Sequence, residues 1–171
     1  MTAAGVFRFA ASGRGARALP RLAAFPTALA ALLLAVFAWA SPARALEPLA
    51  IESGGGRHLF SVEVAATDEA RARGLMFRRF MPADRGMLFD FKVVAPVSMW
   101  MQNTFIPLDM LFIRADGTIA RIAADTEPHS TRTIPSGEPV LAVLELNAGT
   151  AARLGIRAGD RVVHPLFGGT P

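Results

Sequence analysis

Between residues 49 and 164 apolar positions recur at every second residue in short runs broken by Gly, Pro, Asp and Asn, a period that predicts strands. Leu49–Ser53 and His58–Ala65 flank Gly54-Gly55-Gly56 and form the first expected hairpin. Thr67 followed by Asp68 and Glu69 is an N-cap with acids in the first turn, and Gly74 stands where a short helix should end. After the turn Pro82-Ala83-Asp84-Arg85-Gly86, Met87, Phe89 and Phe91 alternate with Leu88 and Asp90 as a strand. Leu108–Arg114 and Thr118–Ala123 meet through Asp116-Gly117, which predicts a two-residue hairpin turn with positive φ at Gly117, and secondarily at Asp116. Val140–Leu146 reads as a mostly buried strand. Asn147 is the expected cap of a helical turn that runs through Leu154 and closes at Gly155, and Gly159-Asp160 leads into a last strand at Arg161–His164. Five to seven short strands with two short helices predict a mainly β, α+β domain, a small barrel or sandwich. No repeat or long linker interrupts it, so residues 46–171 are expected to form a single domain.

The first 45 residues follow a different pattern. Arg8, Arg14, Arg17 and Arg21 precede an uncharged apolar run from Leu22 to Ala40, and Ala43 and Ala45 flank Arg44 in a small-residue cleavage pattern. A signal peptide over residues 1–45, cut after Ala45, is the expectation, with Ala40 as the competing site. Without an Arg-Arg pair the general secretory route is favoured over the twin-arginine one. The protein is then periplasmic or secreted, and touches a membrane only if the leader stays uncut as an anchor. Pro26 would disturb such a spanning helix.

Removing the leader changes the charge. Five of the 18 basic residues and none of the 14 acids precede Leu46, leaving 13 against 14 and a net charge of −1. The basic character belongs to the leader, and a nucleic-acid partner loses its main support. Cysteine is absent, so the domain rests on its apolar core without disulfides or thiolate chemistry. No Gly-x-Ser-x-Gly elbow, His-Glu-x-x-His pair or Gly-rich phosphate loop occurs, and no cofactor is expected.

The runs Arg73-Gly74-Leu75-Met76-Phe77-Arg78, Gly86-Met87-Leu88-Phe89, Met99-Trp100-Met101-Gln102-Asn103-Thr104, Ile106-Pro107-Leu108-Asp109, Val143-Leu144-Glu145-Leu146 and Gly159-Asp160 come in this order. Together they resemble the signature of the domain-of-unknown-function 192 family over nearly all of residues 49 to 165. The resemblance implies a β-barrel-like domain, often exported in bacteria, with no established catalytic residue or substrate. Gln102 stands where the family pattern often has Lys, which tells against a role needing a cation there.

The candidate chemistry gathers around the segment from Met99 to Ile113. On a strand over Leu108–Ile113, Asp109 shares a face with Leu111 and Ile113, so its carboxylate must be bonded or shift its pKa upward. Backbone N–H groups of the turn at Asn103–Phe105 are the expected partners; the functional reading makes Asp109 a site acid beside Asn103 and Thr104. Arg78, Trp100, Asn103, Thr104 and Asp109 are expected to converge on one side of the barrel as the ligand site. The function expected is binding of an unknown small ligand or a cell-envelope partner by a monomer. A hydrolytic enzyme using Asp109 as acid or base is the first alternative, with Asp84, Asp90, Glu127 or His129 as possible second groups. Ser130 and Ser136 are expected to be loop hydroxyls. Metal binding is the other alternative, through Glu127-Pro128-His129 with Asp109, or through Met76, Met81, Met87, Met99, Met101 and Met110 as soft ligands. Filling of an irregular core is the simpler role for those methionines, and no metal ligand is assigned. His58 and His164 are expected to be half-buried or surface imidazoles.

Overall fold

A computed structural model of the chain describes residues 45–171. The expected leader, apart from Ala45, lies outside them. Seven strands follow in chain order: β1 (Leu46–Ser53), β2 (Gly56–Ala65), β3 (Arg85–Met99), β4 (Leu108–Ile113), β5 (Ile119–Thr126), β6 (Ile134–Asn147) and β7 (Arg161–Val163). Helix α1 (Asp68–Arg73) lies between β2 and β3, and α2 (Thr150–Leu154) between β6 and β7. The mainly β architecture with two short helices matches the alternation of the sequence, and the strands extend beyond their expected ends.

The strands form one sheet in the order β5-β4-β6-β3-β2-β1-β7. Neighbours pair antiparallel except β2 and β3, which run parallel. A parallel pair needs a crossover, and α1 with the chain behind it supplies that connection. Thr67 Oγ1 accepts the Ala70 N–H at 3.2 Å and caps α1 as its sequence predicts. The sheet curls until its outer strands meet: the Val162 N–H donates to the Gly117 carbonyl and the Ile119 N–H to the Asp160 carbonyl, each at 2.8 Å.

Both faces of the curled sheet are covered. Leu49, Ile51, Phe60, Val62, Leu88, Leu111, Leu144 and Val162 belong to one apolar cluster. Met87, Phe89, Met110, Phe112 and Val143, one residue out of step along the same strands, belong to a second, which α1 and the segments around Leu75, Met81 and Met101 close. Alternation along a strand sends successive side chains to opposite faces, so β3, β4 and β6 each feed both clusters. Met81, Met87, Met101 and Met110 are buried in the second cluster and Met99 packs against it, filling the irregular space under the connecting loops.

Several local expectations change. Asp116 does not take a positive φ; only Gly117 does, at +86°. The Gly117 N–H donates to the Arg114 carbonyl at 3.0 Å and the Arg114 N–H to the Thr118 carbonyl at 2.9 Å, so Ala115, Asp116 and Gly117 form a three-residue loop. Asp116 Oδ1 accepts the Thr118 N–H at 2.9 Å, which satisfies the turn without a left-handed aspartate. Asn147 does not cap α2: its amide donates to the Met81 and Pro82 carbonyls at 2.9 and 3.2 Å, and Gly149 holds the cap position. His164 is buried, because its Nδ1 accepts the Leu166 N–H at 3.2 Å and caps the 3-10 turn Pro165–Phe167. Ser136 is a buried strand residue whose hydroxyl accepts the Val97 N–H at 3.1 Å and donates to the Glu138 carbonyl at 2.6 Å.

A Cβ at Gly117 would stand 2.6 Å from the Val162 carbonyl oxygen, at the point where the sheet closes. Gly117→Val is therefore expected to destabilise the fold by about 1–3 kcal/mol or more, from backbone strain and the collision together. The denaturant midpoint measures it, and an unchanged midpoint would contradict both the turn and the closure.

Candidate functional site

Of the buried acids Asp90, Asp109 and Glu145, the last two lie in adjacent strands on opposite faces of the sheet, and Asp90 is paired with Lys92. Asp109 in β4 pairs with Leu146 in β6, on the face of the first cluster, and Glu145 pairs with Met110 and Met87 on the face of the second. Asp109 is fully buried and fully bonded. Its Oδ1 accepts the Asp125 N–H at 3.0 Å and the Gly149 N–H at 3.2 Å, and its Oδ2 accepts the Ala151 N–H at 2.8 Å. The expectation that backbone N–H groups satisfy this carboxylate holds in kind. The donors are not those of the Asn103–Phe105 turn, however; they come from the end of β5 and the start of α2. Asp109 is thus a long-range cap for a helix that has no side-chain cap of its own.

Glu145 is 4 % exposed, no donor among the described residues bonds its carboxyl group, and its oxygens are not sealed off but reach solvent through a cleft; the fully buried side-chain atom without a hydrogen bond among the described residues is His164 Nε2. Burial alone pushes its pKa up, from 4.5 to about 8, which favours the protonated, neutral form at neutral pH. It lies in a narrow cleft of about 30 Å³ lined by Arg71, Arg73, Gly74, Leu75, Met76, Phe89, Met99, Trp100, Gln102 and Thr104. Four of the six motif runs of the sequence contribute to that lining.

The roof of the cleft is built by turns that hold one another. Gly74 ends α1 with φ +48°, and a Cβ there would come within 3.1 Å of the Phe89 ring, so the chain passes low over β3 only because this residue has no side chain. Asn103 takes a left-handed φ of +55°, and its carbonyl accepts the Phe77 N–H at 2.8 Å, joining the two roof segments. Thr104 is held by its N–H to the Met101 carbonyl and by its carbonyl, which accepts the His129 N–H, both at 3.1 Å. Arg71 donates to the Ala66 and Asp90 carbonyls at 3.1 and 2.7 Å and pairs with Asp68. Its charge is therefore engaged, whereas Arg73 has no partner among the described residues. Trp100 is half exposed at the mouth.

Of the five expected site residues, Trp100 and Thr104 line this cleft, and the Asn103 amide sits beside it, 3.9 Å from Met76 Sδ. Arg78 belongs to the neighbouring groove formed with Leu46, Phe80, Met81, Pro82 and Arg85, where it clasps Glu63 through two hydrogen bonds of 2.5 and 2.7 Å. Asp109 faces the other side of the sheet. Sequence reasoning passed over Glu145 as a site residue. The signal was present: a lone acid in the apolar run Val140–Leu146, where every side chain on either face must be covered. Among the described residues no three of His, Asp and Glu come together to hold a metal ion. His129 instead stands edge-on to Phe105, with ring centres 4.8 Å apart.

The family model DUF192, described as uncharacterised, matches residues 49–164 and so spans the whole cleft. Among solved structures, one from Sinorhizobium meliloti 1021, named as a conjectured transcription regulator, is 49% identical with a TM-score of 0.71, the match covering 74% of this chain and 98% of that one. A protein of unknown function from Novosphingobium aromaticivorans DSM 12444 is 40% identical with a TM-score of 0.68, over 72% of this chain and 93% of that one. No curated protein matches the chain.

The two acids respond differently to substitution. Asp109→Asn replaces one acceptor oxygen by an amide N–H₂ that faces one or two of the three N–H donors, and a loss of stability on the order of 2–4 kcal/mol is expected. An unaltered denaturant midpoint would contradict the capping role. For Glu145 the folded chain keeps a proton that the unfolded chain releases above its ordinary pKa. Stability from this group is thus complete below pH 4.5 and is lost as pH rises to about 8. Glu145→Gln should remove that slope, gaining on the wild type by a few kcal/mol across this window. Parallel stability–pH curves for the two proteins would show that Glu145 ionises normally in the fold.

Proposed function

The chain belongs to the DUF192 family, and from the cleft that its motif segments build we infer that this protein binds a small ligand through Glu145, Trp100, Asn103 and Thr104. The observation that carries this reading is the Glu145 carboxyl group, 4 % exposed and without a partner. A buried polar group left unbonded costs about 1–3 kcal/mol, which a ligand supplying the missing bonds would return. The half-exposed Trp100 offers an apolar face beside it, Gln102 offers an amide in the lining, and the Asn103 amide sits next to it beside Met76. Few convergent polar groups within a mainly apolar lining are what small-molecule sites share.

Hydrolysis is less well supported than binding. Acid–base catalysis needs a second group beside Glu145, and no other carboxylate and no imidazole lines the cleft. Asp109, the acid the sequence put forward, is saturated by backbone donors. The regulatory role conjectured for the Sinorhizobium meliloti relative has little to stand on in this chain. Residues 46–171 carry a net charge of −1, and helices of six and five residues are too short to read a DNA groove. A cell-envelope partner is the second reading, favoured by the exposed Phe77, Phe80 and Trp100 on and beside the roof. In both readings the Arg-rich, apolar residues 1–45 act as an export signal and the protein works as a monomer in the periplasm or outside the cell.

A thermal-shift screen of the full chain against metals, sugars, nucleotides and peptidoglycan fragments tests the binding reading. A small molecule that raises the melting temperature by several degrees is expected, with the effect lost in Trp100→Ala and Glu145→Leu and kept in His129→Ala. A shift that survives both cleft substitutions would place the ligand elsewhere.

A further inference from the structure

The cleft narrows to a slot whose contents are restricted by size, charge and hydrogen-bonding pattern. Its volume of about 30 Å³ compares with roughly 10–15 Å³ for one water on the same measure, so it holds two polar heavy atoms side by side. The charged side chains that line it besides Glu145 are Arg71 and Arg73, both positive, and the strand neighbours Met87 and Met110 carry no charge. A cationic ligand group would meet two guanidinium groups at the rim. A carboxylate would accept the O–H of the acid and set its second oxygen against the acid's carbonyl oxygen, two acceptors face to face. An unpartnered carboxylic acid presents an O–H donor and a C=O acceptor a little over 2 Å apart. Its complement is a planar group with the opposite pair in the same spacing.

Resting on the ligand-binding reading above, we propose that the Glu145 slot receives a primary carboxamide, paired with the acid through two hydrogen bonds, while the body of the ligand lies against Trp100. A primary carboxamide carries its N–H and C=O on one side in that spacing, whereas the trans bond of a secondary amide turns them to opposite sides, so the slot reads the –CONH₂ group and not an acetamido or backbone amide. Gln102, Asn103 and the unpartnered Arg73 then meet the polar edge of whatever carries it.

The test uses the full-length protein with Trp39→Phe, which leaves Trp100 as the single tryptophan and its emission as a probe of the mouth. Acetamide, N-acetylglucosamine, N-acetylglycinamide, glucose, acetate and methylammonium are titrated at pH 6.5. Acetamide and N-acetylglycinamide, which carry a primary carboxamide, should quench or shift the emission and raise the melting temperature, and N-acetylglucosamine, glucose, acetate and methylammonium should not. Glu145→Leu should weaken amide binding on the order of tenfold or more, whereas Glu145→Gln, which keeps a donor beside an acceptor, should retain it. Raising the pH to 9.5 should weaken binding to the wild type and leave the Glu145→Gln protein unaffected, a comparison that needs no leucine variant to fold. If N-acetylglucosamine, glucose, acetate or methylammonium bound in a Glu145-dependent way and the two primary amides did not, the cleft would stand as a ligand site and the carboxamide assignment would fall. If none of the six produced a change sensitive to Glu145 or to Trp100→Ala, both would fall.

Discussion

Covering the curled sheet on both faces is the constraint from which the other features follow. β4 and β6 lie in its middle, and over Leu108–Ile113 and Val143–Leu146 every side chain is buried. In such strands a polar residue is largely withdrawn from water, so each one must find partners inside or open onto a cleft. Asp109 and Glu145, in neighbouring strands and on opposite faces, meet that constraint in opposite ways. Asp109 gathers three backbone N–H groups and ties the end of β5 and the start of α2 to the middle of the sheet. Glu145 gathers none and keeps its proton instead.

That difference separates architecture from function. A saturated carboxylate under an apolar cluster is a structural tie, and its removal unfastens the elements it holds. An unsaturated one beneath a roof of short turns is a receptor group, because the bonds it lacks are available to whatever enters the cleft. The roof is built for access as well as cover. Gly74 lets the chain pass close over Phe89, the Phe77–Asn103 hydrogen bond joins the two roof segments, and Trp100 is left half outside at the opening. The nearby Arg78–Glu63 pair lines a separate groove with its charges already matched, so it adds rigidity to the roof segment more than recognition.

Much of this was legible in the sequence, and the remainder was not for identifiable reasons. Period-two alternation and turn residues located the β1–β2 hairpin, α1 with its Thr67 cap, and the β4–β5 hairpin, because these depend on neighbours a few residues away. The motif runs pointed to the right region, and Trp100 and Thr104 do line the cleft. The partners of Asp109 could not be read, since Asp125, Gly149 and Ala151 lie 16, 40 and 42 residues away and are brought to it only by sheet register. For the same reason Asn147 was mistaken for a cap: its local sequence fits one, while the structure uses its amide to hold the Met81–Pro82 segment. Glu145 escaped notice because a single acid in an apolar strand is usually paired, and whether it is paired depends on what packs over it.

The state of the Glu145 side chain is therefore the quantity on which the functional reading turns, and its carboxyl carbon can be observed directly by ¹³C NMR in protein labelled at the glutamate δ position, with Glu145→Gln assigning the resonance. An unpartnered acid at the base of the cleft should titrate with a midpoint near the value of about 8 set by its burial. A midpoint near 4.5, the ordinary value for a glutamate, would mean that the carboxylate is solvated or paired in solution, and the cleft would lose the group that makes it a receptor.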